Sequence, residues 1–470
     1  ALEFGAGTDV RVKEGLTAGG PYSLQLGARH PAQVKVGLVG TRDALERTSA
    51  FLELMQVSVP TLGDKQLQRP PFPGFASTFH SELLVDSSWQ HVIDDDILNR
   101  ALAQEPEIAF RDLLKAWTAG LEQLSQHRDP PPSLIVCAIP GEVLKHCHRV
   151  HLADAPAPRQ RQLGLFDDPT SIEAVTGPDG LLDRDFRRAL KASAMRFSAP
   201  IQIVTPNLYG PIPGRHDDPA SRAWNLAVAL FYKAGGAPWR VASPEVDTLY
   251  VGISFHHRWH QDGHTLYAGL AQAFYPGSEG FALRGGEAEK APEDLRLRLA
   301  PDEMRRLVSD VLEHYRSRTA KDPRRVVIFK TTAFDDGERH GAALALDNIP
   351  KTDFIALRSS VFRLLRQGDY PPARGTLTTI GTRGFLLTTG YQANRQTYKG
   401  SHIPVPLDLL TESDLEIAAT DVMALTKLNW NSAADHTQFP VTLAFAQKVG
   451  TIMAEVPEDQ VPQTRLSYYI

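Results

Sequence analysis

The sequence has little cysteine. Two residues, Cys137 and Cys147, in a chain of 470 cannot build a disulfide framework, which fits a reducing cytoplasm. It contains no apolar run of about 18 residues, so no segment reads as a membrane-spanning helix. Its start, ALEFGAGTDV, has neither the charged leader nor the apolar stretch of a secretory signal. It also lacks an initiating Met, which leaves a trimmed or tagged start open. There is no basic surplus. Fifty Lys and Arg against 55 Asp and Glu give −5, whereas nucleic-acid binders usually carry a basic footprint. Internal repeats and low-complexity segments are absent too. What is there is globular: 42% hydrophobic and 22% charged residues. At roughly 150 residues per domain, the length suggests two or three domains.

Residues 1–32 are Gly-rich and polar, and read as an irregular lead-in. From residue 33 the pattern alternates. Gln33–Gly40, Ser133–Ile139 and Ile201–Thr205 have the apolar, β-branched chemistry of buried strands. Thr41–Leu54, Ile97–His127 (interrupted at Pro106) and Leu182–Phe197 have helical spacing. Pro219–Ala234 carries strong end signals, with Asp218 as N-cap and Gly235-Gly236 after its end. Ala153–Gly180 reads as a surface loop. Alternating strands and helices imply a doubly wound α/β domain over 33–245. Beyond Ser243-Pro244, three strands with short connections (Thr248–Phe255, Thr265–Phe274, Gly280–Arg284) precede alternating helices and strands. That order predicts an RNase H-like domain over 246–470.

Four stretches together resemble the MID and PIWI domains of Argonautes. They are LIVCAIPG (134–141), the segment from Phe186 to Val204, LAVALFYKAGGAPW (226–239) and FPVTLAFAQKVG (439–450). KAGGAPW at 233–239 is the most specific. The resemblance covers residues 33–470 and leaves no room for the family's N and PAZ domains. It therefore points to a short prokaryotic Argonaute, with a Rossmann-like MID domain and an RNase H-like PIWI domain.

In that family the MID domain holds the 5′-phosphate of a guide strand. The ordered quartet Arg187, Lys191, Gln202 and Lys233 fits the family's pattern for this pocket. Arg187 and Lys191 lie four apart and share a helix face. Clustered cations suit a phosphate. Each alone also fits a solvated basic face or a helix-end charge. Prokaryotic members often add a divalent cation that bridges the phosphate to the terminal carboxylate. The resemblance makes the Ile470 carboxylate and Gln202 its candidate ligands, with Mg²⁺ as the ion. A frayed terminus is the plainer alternative for the last residues.

Slicing members hold two metal ions with acidic residues and a His. At the matching positions stand Ser254, Thr331 and Gln447. Neutral groups cannot balance two divalent cations, so the expectation is no catalytic site and no cleavage. Asp335, Asp336 and Glu338 lie downstream of Thr331 and would rescue a site under a shifted register. The histidines at 256, 257, 260 and 264, and His146-Cys147-His148 with His151, are thin metal signals. Arg284-Gly285-Gly286 reads as a turn.

The resemblance further implies a bacterial anti-phage or anti-plasmid role. A guide RNA pairs with invader single-stranded DNA, and a partner with an APAZ domain is activated. The expected effector is sirtuin-like or TIR and consumes NAD⁺, with a nuclease as the alternative. Two rival readings stand beside this one: a guide-directed nuclease with unusual metal ligands, and a structural subunit. Two stretches support a channel. Residues 183–240 hold nine basic residues against four acids, and 363–399 hold six against one, each a net +5.

Overall fold

The computed structural model describes residues 1–62, 69–126, 129–151, 183–210, 218–242, 247–259, 265–275, 280–290, 297–367, 372–390, 405–456 and 460–470. The surface-loop reading of 153–180 lies outside them.

The expected irregular lead-in is instead folded. Strands β1 (Leu2–Glu3) and β2 (Thr8–Asp9) pair with each other, and a helix follows at Val12–Gly19. Leu2, Phe4, Val12 and Leu16 are fully buried. These apolar residues are too sparse to show a period. They become ordered by packing on a core built elsewhere.

Strands β3 (Gln33–Thr41), β4 (Glu82–Ile93), β5 (Leu134–Ala138) and β8 (Ile201–Val204) form a parallel sheet in the order β4-β3-β5-β8. Two short strands, β6 (Arg149–His151) and β7 (Asp183–Asp185), pair separately between β5 and β8 in sequence. Both sheet faces are covered, as in parallel sheets generally. Leu134, Val136 and Ala138 pack towards the helices Arg42–Leu54 and Pro219–Lys233. Ile135 and Cys137 pack the other way, against Trp117 and Leu121 of the helix Pro106–Gln126 and Phe186 and Leu190 of the helix Phe186–Ala194. The expected interruption near Pro106 is present, since one helix ends at Leu102 and the next starts at Pro106.

Strand β9 (Arg240–Val241) pairs with β1 and so ties the lead-in to the end of this unit. The second sheet then begins with β10 (Thr248–Trp259), β11 (Thr265–Phe274), β12 (Phe281–Lys290) and β13 (Leu297–Leu299). The helix Pro301–Thr319, β14 (Arg325–Lys330), the helix Asp336–Ala345 and β15 (Lys351–Ser359) follow. A hairpin of β16 (Leu377–Ile380) and β17 (Arg383–Leu386) precedes β18 (Leu407–Thr411). The order is β13-β12-β11-β10-β14-β15-β18-β17-β16, with β10, β14 and β15 parallel. Three antiparallel strands followed by parallel neighbours on the first strand's far side give an RNase H-like sheet.

Alternate residues of β10 and β14 face opposite cores. Leu249, Val251, Val326 and Ile328 meet the helix Pro301–Thr319. Tyr250, Val327 and Phe329 meet the helices Val441–Ala444 and Ala446–Met453, in a core that also contains Trp224 and Phe231. One continuous core therefore spans both sheets. Gly252 is required at its place on β10, because a Cβ there would stand 2.1 Å from the Thr442 carbonyl oxygen. No described helix is long and apolar enough to cross a membrane.

Candidate nucleic-acid interface

Local sequence places the cations. Asp185 caps the helix Phe186–Ala194, accepting from the amides of Arg187 at 3.0 Å and Arg188 at 3.2 Å. That fixes the register in which Arg187 and Lys191 share a face. Asp218 caps the other helix at Ser221 N, 3.1 Å, and Lys233 is that helix's last residue.

The two lysines converge on the segment Leu466–Ile470. Lys191 Nζ donates to the Tyr469 carbonyl oxygen at 2.9 Å. Lys233 Nζ donates to the Ser467 carbonyl oxygen at 3.2 Å and to an Ile470 oxygen. Tyr468, Tyr469 and Ile470 are buried, and Tyr468 Oη anchors the segment by donating to Ser198 O at 2.7 Å. Lys233 is only 1% exposed.

Burial is the main cause of the shifts here. It pushes Lys191 down to about 8, helped by the charges of Lys448 and Arg187. Burial, then the charge of Lys191, pushes Lys233 well below its ordinary value. Neither ammonium has an Asp or Glu partner among the described residues. The cations thus repel one another in a desolvated place, and a bound anion relieves that cost.

Arg187 is exposed and faces this cluster. Gln202 stands on β8, where Nε2 donates to Ile203 O at 3.1 Å. Its Oε1 is buried without a partner among the described residues. Such an orphan acceptor suits a cation or an additional donor. Lys448, exposed on the helix Ala446–Met453, joins the cluster and was not singled out by the sequence. It lies in the quoted FPVTLAFAQKVG stretch, but no spacing rule links it to Lys191.

The second set of positions is at the end of the large sheet. Gly252 of β10 is in register with Phe329 of β14, so Ser254 and Thr331, each two residues further on, stand level. Ser254 Oγ is buried with no hydrogen-bond partner among the described residues. Gln447 belongs to the helix Ala446–Met453, which packs on β10.

The nearby acids have other work. Asp335 caps the helix Asp336–Ala345 and pairs with Arg298 at 3.0 Å. Glu338 closes the capping box and lies 2.5 Å from Lys330 Nζ, both residues being 1% exposed. Asp336 is exposed in the helix's first turn. Among the described residues no three His, Cys, Asp or Glu are grouped to hold a metal.

The other motifs resolve simply. His256 and His257 lie within β10, which excludes helical ligand spacing, and His260 and His264 fall outside the described residues. His146 bonds Gln104 O at 2.9 Å, His148 pairs with Asp185 at 3.1 Å, and Cys147 is buried with its thiol pushed up to about 11 by desolvation. Arg284-Gly285-Gly286 is not the expected turn but part of β12, which runs on to Lys290 against β11.

The basic stretches only partly converge. Arg222 donates to Gly210 O at 2.8 Å and Arg240 pairs with Glu3 at 2.5 Å. Arg374 is turned inward to Thr388 O at 2.7 Å. Arg215, Arg395 and Lys399 lie outside the described residues.

No protein-family model and no curated protein matches the chain. Solved structures do. Clostridium butyricum Argonaute bound to a guide DNA and a 19-mer target DNA matches with a TM-score of 0.62 at 14% identity, over 100% of this chain and 53% of that one. Aa-Ago with externally bound siRNA matches at 0.57 and 13%, over 98% and 54%. Drosophila Piwi matches at 0.54 and 14%, over 100% and 55%. The chain spans about half the length of each. Its parallel sheet and its RNase H-like sheet together make an Argonaute-like fold.

Proposed function

We propose that this chain is a guide-binding Argonaute of the short type, which reads complementary nucleic acid without cutting it. The observation that carries this reading is the convergence of two ammonium groups, half-buried Lys191 and buried Lys233, on residues 467–470, with no Asp or Glu partner among the described residues. A 5′-phosphate supplies the missing charge and several acceptors. Arg187 and Lys448, whose charges act on Lys191, would extend the cationic rim. Base pairing then supplies the sequence choice, while the protein holds backbones by charge.

This reading includes a Mg²⁺ ion beside the phosphate, for which two hard oxygens would serve. Gln202 Oε1 is an orphaned hard oxygen, and the Ile470 oxygen bonded to Lys233 would be a second. The ion would add charge neutralisation there. Lys233, already bonded to Ile470, would orient that oxygen.

Ser254, Thr331 and Gln447 support a chain that does not slice, since none can supply the negative charge two divalent ions need. Glu338 is held by Lys330 and Asp335 by Arg298, which keeps both from substituting. The output of target recognition then belongs to a second chain. We assign that role to an APAZ-containing effector, sirtuin-like or TIR, that consumes NAD⁺ in anti-phage or anti-plasmid defence. The guide is RNA and the target single-stranded DNA in this reading.

Purification with the neighbouring-gene partner, followed by sequencing of bound nucleic acid, tests it. Short 5′-phosphorylated RNAs in the complex are expected. A complex free of nucleic acid would favour a structural subunit, and metal-dependent cutting of a guided target would favour a nuclease.

A further inference from the structure

We propose that Arg358 and Arg383 grip a phosphodiester of the target strand at the C-terminal edge of the large sheet. This rests on the guide-binding reading and adds a second contact to it.

Register brings the residues together. Arg358 of β15 is opposite Asp408 of β18, which is opposite Phe385 of β17, two residues after Arg383. Arg358 Nε lies 2.8 Å from Asp408 Oδ2, and Arg383 Nη2 lies 3.2 Å from the same oxygen. With Thr331 and Ala356 they line a cavity of about 180 Å³. That is several times the ~30 Å³ of one water and has room for a tetrahedral phosphate.

One buried carboxylate shared by two guanidiniums leaves a net positive charge. Asp408 is 6% exposed, while the two arginine side chains are 49% and 42% exposed. Each guanidinium has five donors, and the shared oxygen uses one from each. The carboxylate therefore acts as a positioning group that sets the two forks side by side on half-exposed side chains. A bidentate fork is the geometry that phosphate oxygens accept.

The surroundings suit a single strand. Phe362 packs edge-on against Phe385 at 4.7 Å, yet is 46% exposed, so a ring face is available for stacking. Arg363 beside it is exposed as well. The C-terminal ends of parallel strands are also where ligands sit on open α/β sheets. Thr331, at the end of β14, has no charge to repel a phosphate. The guanidinium pair does here what metal ions do in a slicing site: it holds the target phosphate, but it offers no activated water.

The test uses guide-loaded protein and fluorescent complementary DNA. Arg358→Ala with Arg383→Ala is combined with Asp408→Asn, so that no buried carboxylate is stranded. Target affinity is expected to fall at least about tenfold, and the slope of log K against log salt to shrink by about 0.7 for one lost phosphate contact. Guide affinity is expected to stay at the parent value. Phe362→Ala should weaken target binding without changing the salt slope. Parental target affinity and slope in the triple variant would overturn the proposal. So would loss of partner-protein binding with target affinity intact, which would make this edge a protein contact. If the parent binds no guide at all, the guide-binding reading fails first, and the two failures are told apart.

Discussion

Lys191 Nζ donates to the carbonyl oxygen of Tyr469 at 2.9 Å, so a helix near the middle of the chain and its last described segment meet at one ammonium group. Lys233 reaches the same segment from another helix. The segment therefore aligns two charges that otherwise repel each other.

A pH dependence follows. Lys191 is held at about 8, against an ordinary value of 10.5. Between those values the unfolded chain binds a proton that the guide-free folded chain does not, so stability rises with pH across this interval. A 5′-phosphate needs the protonated ammonium, so guide affinity falls over the same interval. Thermal melts and fluorescence anisotropy from pH 7 to 10 check both slopes. Lys191→Met should reduce both slopes, with Lys233, which burial also lowers, supplying the remainder, and parallel slopes in parent and variant would exclude Lys191 as a source.

The Lys330–Glu338 pair is buried on both sides. Removing one partner leaves an uncompensated charge, so Lys330→Met should cost about 3–5 kcal/mol. Lys330→Met with Glu338→Leu should recover much of that loss, because an apolar pair replaces the ions. Urea melts of the two variants measure the difference. Equal losses would mean that the capping box, rather than the ion pair, dominates.

Asp218 caps a helix at Ser221 N and also accepts from the Leu62 amide at 3.0 Å. Asp218→Ala should therefore destabilise by about 1–2 kcal/mol, at or above an ordinary cap. Because that helix delivers Lys233, guide affinity should fall with it. Asp218→Asn or Asp218→Ser should restore most of both. A loss of stability with guide affinity untouched would separate the cap from the pocket.

Incubation of guide-loaded protein and complementary DNA with Mg²⁺ or Mn²⁺ should yield no cleaved product. Ser254, Thr331 and Gln447 offer no carboxylate, and of the downstream acids Asp335 and Glu338 are engaged by Arg298 and Lys330, while Asp336 is exposed in the first turn of its helix. Guide-dependent cleavage that survives repurification and disappears with Ser254→Ala would contradict the proposal.

Much of the fold could be read in the residues because its signals are local. Asp218-Pro219 and Gly235-Gly236 mark both ends of a helix, and SLIVCAI marks a strand buried on two faces. The cationic quartet was legible as an ordered motif, and the structure brings Lys191 and Lys233 onto one segment, with Arg187 beside Lys191. What was not legible depends on distant partners. Strand β4 carries Asp86-Ser87-Ser88 in its middle and alternates poorly, being an edge strand paired on one side. Strand β18 contains Asp408, which only makes sense once Arg358 and Arg383 are beside it. Lys448 belongs to the pocket through packing of its helix on β10 and near the helix Phe186–Ala194, which no spacing encodes.

The most direct measurement compares the affinities of the purified chain for one guide sequence bearing either a 5′-phosphate or a 5′-hydroxyl. The parent should prefer the phosphate by at least about tenfold, the scale of one or two charge-assisted hydrogen bonds. Lys191→Ala with Lys233→Ala should abolish the preference. Equal binding of the two guides by the parent would contradict the phosphate pocket, and with it the central claim.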